Sequence, residues 1–311
     1  MIFILRGMMV ALGFFGVLYC LLSVLTLCVW KGARLLGRKR PVRWARWLFA
    51  IRIFPLAGAA FCTLAFAIPA FLLLEPAAID EDTRTVVFSV GALLLVAGGL
   101  LRVLTAQARA ARLVAGLRER AFAPKPVTSS RMLPAQRDLP PLLLYGVSAP
   151  KLLVSDTAVA VLTADELRVA VRHELCHKRS RDNLKKLLLY GVPFPGMASL
   201  ERAWLEMAEF AADEEAVSNP REALDLAAAL IKLTKVLPVQ RPPAFTTGLI
   251  SLAGLAKLRV ERLLHWQERS SRAVPGQRWG FLSLVLVTVS CAAYYGEALR
   301  FTHWITERFI H

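Results

Sequence analysis

The sequence has no cysteine pattern that would indicate a disulfide-stapled fold. Four of its five cysteines fall within long apolar runs, and the fifth lies inside a histidine motif. We therefore expect no disulfide framework, and we expect Cys176 to serve packing because helical spacing turns it away from the neighbouring histidines. The other four are Cys20, Cys28, Cys62 and Cys291.

Acidic residues are scarce, since 23 Asp and Glu stand against 39 Lys and Arg and leave a formal net charge of +16. Such basicity can indicate a nucleic-acid-binding protein. Here, however, the positive residues flank apolar runs, and the sequence contains no nucleic-acid-binding motif. We expect no direct nucleic-acid binding, and we assign the charges to membrane topology and to contact with anionic lipids of the bilayer.

Apolar residues are abundant, at 56% of the chain, and the mean hydropathy is +0.49. These values exclude an ordinary soluble domain. Apolar runs long enough to span a bilayer occur at 8–30, 53–74, 86–101 and 279–296, which predicts four transmembrane helices. The first run is too long for a secretion signal and lacks a small-residue cleavage site, so we expect it to remain as an anchor.

The distribution of charge predicts the orientation of these helices. Basic residues crowd the loop after the first run, whereas acidic residues dominate the loop after the second. Because loops rich in Lys and Arg stay in the cytoplasm, we expect both chain ends to face outward. The predicted organisation is a membrane domain (1–105), a cytoplasmic domain (106–278), and a fourth helix with a short outward tail (279–311).

The predicted cytoplasmic domain contains an HExxH motif at His173, Glu174 and His177. Thr163 and Glu166 have capping-box spacing, which predicts that a helix begins just before the motif. Two histidines four residues apart share one helix face and can bind zinc, while the glutamate can act as general base and acid toward a water molecule at the open position. The alternative is a surface helix that carries two histidines and binds no metal.

Carboxylates on a second predicted helix offer a third ligand. Glu209 and Asp213 lie on one face of this helix, which is predicted to end before Asn219. Two histidines and one glutamate leave one coordination position open, as in catalytic zinc sites, so we expect Glu209 to complete a site for one Zn²⁺ per chain. Asp213 is expected either to bond the outer nitrogen of a ligating histidine or to be a surface carboxylate.

These linked motifs resemble those of the integral-membrane gluzincin metallopeptidases typified by the beta-lactam sensor and antirepressor proteins of resistant bacteria. The matching segments are 167–177, 179–183 and 209–213. The resemblance implies an α-helical membrane protein of the bacterial plasma membrane, with four transmembrane helices and a cytoplasmic, mainly α, α+β zincin-like metallopeptidase domain. It also places an acidic residue at Asp182, for which we expect a role in supporting the site or the fold.

The function that this resemblance implies is a zinc-dependent endopeptidase acting on cytoplasmic or juxtamembrane proteins, with a transcriptional repressor as one candidate substrate. The sensor proteins carry a large ligand-binding domain after their last span, whereas fifteen residues follow Gly296 here. A separate sensor protein is therefore a candidate partner. Two alternatives stay open: a quality-control or processing protease, and a non-enzymatic membrane signalling scaffold.

Short apolar stretches in the predicted cytoplasmic domain indicate strands at 142–145, 151–154 and 158–162. We expect one of these strands to be an edge that pairs with an extended substrate. On the HExxH helix, helical spacing predicts that Leu167, Val171 and Leu175 face the core.

The rest of this domain is predicted to be connectors and helices. The apolar segment 187–196 is predicted to be a connector, either buried or dipping toward the bilayer, because it contains several helix breakers. The segments 223–236 and 250–264 are predicted to be amphipathic helices.

Overall fold

The structure is a computed structural model that describes residues 2–33, 41–74, 83–122, 141–236, 246–247, 255–266 and 295–306. Three helices are long and apolar enough to cross a membrane: Phe3–Ala33, Pro41–Leu74 and Thr83–Arg112. They contain the first three predicted spans, so the prediction of three membrane-length helices is confirmed, and the architecture is consistent with a helical membrane protein. The fourth predicted span lies almost entirely outside the described residues.

The elements in chain order are α1 (Ile2–Ala33), α2 (Pro41–Cys62), a π-helical segment (Thr63–Ala67), α3 (Ile68–Leu74), α4 (Thr83–Phe122), β1 (Leu142–Tyr145), β2 (Lys151–Val154), α5 (Asp156–Val161), α6 (Ala164–Arg179), α7 (Asp182–Gly191), α8 (Ala198–Ala216), α9 (Pro220–Val236), β3 (Thr246–Thr247), α10 (Ala256–Leu264) and α11 (Tyr295–Ile305). Contacts divide the chain into two compact units, the first comprising residues 1–36, 51–98 and 269–311, and the second residues 37–50 and 99–268.

The first unit brings membrane-length helices together through small and polar residues. A Cβ atom on Gly16 would lie 2.7 Å from the Cβ of Ala92, so glycine permits the close approach of α1 and α4. The hydroxyl of Ser89 donates to the carbonyl of Met9 over 2.7 Å. Arg52 is buried inside this unit, whereas many leucines are exposed. Polar groups inside and apolar side chains outside are expected of helices surrounded by lipid.

The π-helical segment interrupts the second membrane-length helix. A π turn contains more residues than an α turn and changes the backbone hydrogen bonding locally. The hydroxyl of Tyr295 on α11 donates to the carbonyl of Ala65 in this segment over 2.8 Å. The Thr63 hydroxyl donates to the carbonyl of Ala59, also over 2.8 Å. Both bonds pair backbone carbonyls that lipid could not hydrate.

The second unit combines a small antiparallel sheet with a helical core. The strand order is β2-β1-β3, with Leu143 opposite Leu153 and Leu144 opposite Thr247. Among the described strands, β2 therefore forms one edge. Helix α6 packs against both α8 and α9, around a core whose buried members include Val169, Ala170, Ala212, Leu226, Leu230 and Leu233.

The predicted capping box at the start of α6 is confirmed. The Thr163 hydroxyl accepts from the Glu166 N–H over 3.3 Å, and the Glu166 carboxylate accepts from the Thr163 N–H over 2.9 Å. The same carboxylate accepts from Lys232 on α9 over 2.8 Å. Glu166 therefore caps the N-terminus of α6, the helix that carries the HExxH motif, and also links this helix to α9.

Three local predictions were wrong or incomplete. The segment 158–162 is not a strand, because Ser155 caps a short helix there by accepting from the Ala158 N–H over 3.1 Å. Half of the predicted connector 187–196 belongs to α7. Leu175 was predicted to face the core but is 41% exposed. The face of α6 that carries the two histidines points into the protein, so the buried side of this helix does not include Leu175.

Helix α7 lies close to α4 within the second unit. A side chain at Gly99 would overlap the carbonyl oxygen of Gly191 at the end of α7. One turn away, the Arg102 guanidinium lies 4.7 Å from the centre of the Tyr190 ring. At the other end of α7, the Asn183 amide donates to the carbonyls of Leu144 and Gly146. Both ends of α7 are thus held by tertiary contacts.

Candidate metal centre

The two motif histidines are buried on one face of α6, and their Nε2 atoms lie 3.2 Å apart. Each outer nitrogen faces a carboxylate: Nδ1 of His177 lies 2.8 Å from Oδ2 of Asp182, and Nδ1 of His173 lies 3.0 Å from Oδ1 of Asp213. The hydrogen bond between Nδ1 of His177 and Asp182 favours a proton at Nδ1 of that ring. Nδ1 of His173 lies close to Asp213 without forming a hydrogen bond to it. A neutral ring with its proton at Nδ1 has its Nε2 lone pair available to a metal ion.

Glu209 reaches the same point from α8, which packs against α6. Its Oε2 lies 3.6 Å from Nε2 of His173, and its Oε1 lies 3.7 Å from Nε2 of His177. Tetrahedral bonds of 2.0–2.2 Å to a zinc ion would separate the ligand atoms by about 3.3–3.6 Å. The two observed distances run to different oxygens of Glu209, and one ligand atom from each of the three residues lies within 4.8 Å of the others. His173, His177 and Glu209 therefore form a buried group that could hold a metal ion.

Glu174 is buried beside this group. Burial raises the pKa of its carboxyl, while the neighbouring His173 and His177 partly oppose the shift. A carboxyl whose pKa is raised holds a proton more readily than an exposed carboxyl does, and this property favours a group that takes and returns a proton. The residue that the motif predicted as proton carrier therefore lies in an environment suited to that task.

The acidic partner of His177 belongs to a small ion network at the start of α7. Asp182 is buried and also accepts from Lys185 over 2.9 Å. Burial opposes its charge, but His177 lowers the pKa of the Asp182 carboxyl. Burial likewise opposes charge on His177, yet Glu209 and then Asp182 raise the pKa of His177 to about 10. A metal ion entering the group would therefore displace a proton from His177.

Sequence reasoning missed Arg259, a buried residue of α10. Its Nη1 lies 2.9 Å from Oε2 of Glu209, and its Nη2 lies 2.6 Å from Oδ1 of Asp213. Although burial opposes their negative charge, this guanidinium lowers the pKa of both carboxyls. The sequence offered one signal for a buried arginine at this position. Arg259 interrupts an apolar stripe, since Leu255 and Leu263 lie one turn to either side of it, and both leucines are buried.

Two further predicted or overlooked side chains can be placed. Cys176 lies in the core, as expected, and burial raises the pKa of its thiol to about 11. The four cysteines within the described residues are free. Burial lowers the pKa of Lys186 on α7, and the carboxylates of Glu209, Asp182 and Glu174 oppose that shift. Lys186 therefore lies near the metal group, among acidic side chains.

No family model, curated protein or solved structure matches the chain. The family expected from the motifs therefore stays a prediction. The fold and site define a helical chain with three membrane-length helices and a buried group of two histidines and a glutamate that could hold a metal ion.

Proposed function

We propose that this protein is a membrane-anchored, zinc-dependent endopeptidase that hydrolyses peptide bonds of cytoplasmic or juxtamembrane proteins. One observation carries the proposal: His173, His177 and Glu209 offer ligand atoms that all lie within 4.8 Å of one another, with Glu174 buried beside them. Two imidazoles and one carboxylate form a ligand set that suits zinc and leaves a fourth position open. The described residues contain one such group, and we propose one ion per chain.

The chain's residues take separate roles in the proposed reaction. A bound zinc ion would supply Lewis acidity, polarising the scissile carbonyl and making water more acidic. Glu174 takes a proton from the attacking water and returns it to the leaving amine, which needs the raised pKa that burial gives this carboxyl. Asp182 and Asp213 hold the rings of His177 and His173 in the orientation that presents Nε2.

The proposed substrate is an extended polypeptide. Strand β2 is an edge among the described strands and pairs only with β1 there, so a peptide could add to it by main-chain hydrogen bonds. The distribution of basic residues supports a cytoplasmic position for the site beneath a bacterial plasma membrane, with both termini outward. A transcriptional repressor and a separate sensor protein are the partners that we propose to test first.

The direct test uses the full-length protein in detergent and the variant Glu174→Gln. We expect the variant to keep one zinc ion by elemental analysis and to lose peptide cleavage by about 10²–10⁴-fold, because the ligands remain while the proton carrier is lost. Glu215→Gln, which changes an exposed glutamate of α8, is the matched control and should cleave normally. Wild-type cleavage rates in Glu174→Gln would contradict the proposed role.

A second measurement separates the proposed function from its alternatives. Proteomes of cells carrying the wild-type protein or Glu174→Gln would be compared. Cleavage products from one regulator support a signalling protease, whereas products from many damaged membrane proteins indicate quality control. A purified protein that binds no zinc and changes no product would indicate a non-enzymatic scaffold.

A further inference from the structure

We infer that Arg259 is a positioning residue of the metal centre and makes α10 the fourth helix to contribute to it, after α6, α7 and α8. The guanidinium holds Glu209 and Asp213 in the orientations that metal binding requires. This inference rests on the proposed zinc site.

The contacts of Arg259 match the spacing of the two carboxylates. Glu209 and Asp213 lie one turn apart on α8, and both are buried. The guanidinium fork makes two bonds to Asp213, from Nε to Oδ2 over 2.8 Å and from Nη2 to Oδ1 over 2.6 Å. Its remaining nitrogen, Nη1, lies 2.9 Å from Oε2 of Glu209. One planar group therefore fixes both side chains, which a point charge could not do.

These contacts are compatible with an occupied metal site. A carboxylate has two oxygens, and Oε1 of Glu209, which lies 3.7 Å from Nε2 of His177, can bind the metal while Oε2 stays with Arg259. Only the 3.3 Å contact between Nη2 of Arg259 and Nε2 of His173 would be given up, because that nitrogen has a single lone pair. Arg259 can thus support the ligands both before and after metal binding.

Arg259 also acts on His173 through Asp213. Oδ1 of Asp213 lies 3.0 Å from Nδ1 of His173 and accepts from Nη2 of Arg259. With Arg259 removed, Asp213 and Glu209 would lose the guanidinium contacts that hold their side chains, and both would be free to rotate. A rotated Asp213 would no longer lie against the His173 ring. Arg259 therefore affects metal binding indirectly, through the side chains of Glu209 and Asp213.

Helix α10 is anchored independently of these charges. Leu255 and Leu263 are buried on either side of Arg259, and α10 packs against α9. The helix thus has its own apolar attachment to the core. Because of this attachment, we expect α10 to stay packed against the core when a polar residue replaces Arg259.

A structural arginine of the same kind provides the matched control. Arg172 on α6 bonds both oxygens of Glu222 on α9, over 2.8 and 3.1 Å, and the carbonyl of Ala216 over 3.0 Å. It therefore joins α6 to α8 and α9 by a similar fork, and these contacts involve none of the metal group. Arg172→Gln should lower thermal stability and leave the zinc dissociation constant within about twofold of wild type.

The experiment measures zinc binding rather than activity. Full-length wild type, Arg259→Gln, Arg259→Lys and Arg172→Gln would be stripped of metal in detergent and titrated with zinc against a chromophoric chelator. We expect Arg259→Gln to bind zinc about 10–100-fold more weakly, as is usual when a residue supporting the ligands is lost. Arg259→Lys should recover part of this loss, because it restores the charge without the fork. The visible spectrum of the cobalt-loaded protein should change in the Arg259 variants alone.

Each outcome decides one question. If wild type itself binds no zinc, the proposed function fails and the inference falls with it. If wild type binds zinc and both Arg259 variants bind it equally well, the metal site stands and the positioning role is wrong. Should Arg259→Gln fail to fold by circular dichroism, Arg259→Lys decides alone: zinc binding weakened by about threefold or more supports the role, and unchanged binding overturns it.

Discussion

Replacing Asp182 should weaken metal binding, although none of the proposed metal ligands is changed. Its Oδ2 accepts from Nδ1 of His177 over 2.8 Å, and its Oδ1 accepts from Lys185 over 2.9 Å. Asp182→Ala removes the acceptor that fixes the His177 tautomer and the charge that raises the basicity of its ring. Residues in this position typically contribute 10–100-fold to metal affinity, which corresponds to about 1.4–2.7 kcal/mol. Asp182→Asn keeps an oxygen acceptor and should show the smaller loss.

The assay is a zinc titration of the full-length protein against a chelator of known affinity, combined with thermal unfolding. Asp182 is also the first residue of α7, so its loss should cost about 0.3–1 kcal/mol through the helix dipole. Asp165→Ala controls for that effect, because Asp165 lies in the first turn of α6 and its side chain is 47% exposed. The control should lose similar stability and bind zinc normally. Zinc affinity in Asp182→Ala equal to that of the control would refute the reasoning.

Two further predictions concern stability and can be checked by thermal unfolding in detergent. Although burial opposes its charge, the hydrogen bond from Lys232 lowers the pKa of Glu166, so its contribution is present above the ordinary glutamate pKa of about 4.3 and is lost as the pH falls through the lower folded value. We expect Glu166→Gln to cost about 0.5–1 kcal/mol and Glu166→Ala about 1–2 kcal/mol because the capping box is also lost; a stability difference between Glu166→Gln and wild type that does not shrink as the pH falls would contradict this account. Gly99→Ala should cost about 1–3 kcal/mol, because its Cβ would overlap the Gly191 carbonyl. Gly98→Ala should be neutral or slightly stabilising, since no atom of the described residues lies within 4 Å, and equal effects at the two glycines would show that α7 does not pack there as described.

Local signals in the sequence were sufficient to place the candidate ligands. Thr163 and Glu166 mark the start of α6, and the i, i+4 spacing puts His173 and His177 on one face. Glu209 could be assigned because it lies on a second helix that ends before Asn219. The convergence of these helices was not visible in the sequence, since it depends on tertiary packing. The chemistry of the ligand set, rather than any packing signal, suggested it.

The errors have a common physical origin in tertiary burial. Helical spacing predicted that Leu175 faces the core together with Leu167 and Val171. Because the metal group is itself buried, α6 is surrounded on more sides than a surface helix, and Leu175 lies on its exposed strip. Arg259 was missed for a related reason: its partners Asp213 and Glu209 lie on α8, 46 and 50 positions earlier in the sequence. Nothing near position 259 identifies a carboxylate partner.

The π-helical segment at Thr63–Ala67 has a consequence for how the second membrane-length helix is interpreted. A π turn behaves as a one-residue insertion, and one residue corresponds to about 100° of rotation around an α-helix. A helical wheel drawn continuously through Pro41–Leu74 would therefore assign the wrong sides to residues beyond Ala67. Deleting one residue within the segment would restore a regular α-helix and leave α3 on its present face, but it would remove the irregular turn in which the Ala65 carbonyl accepts from Tyr295.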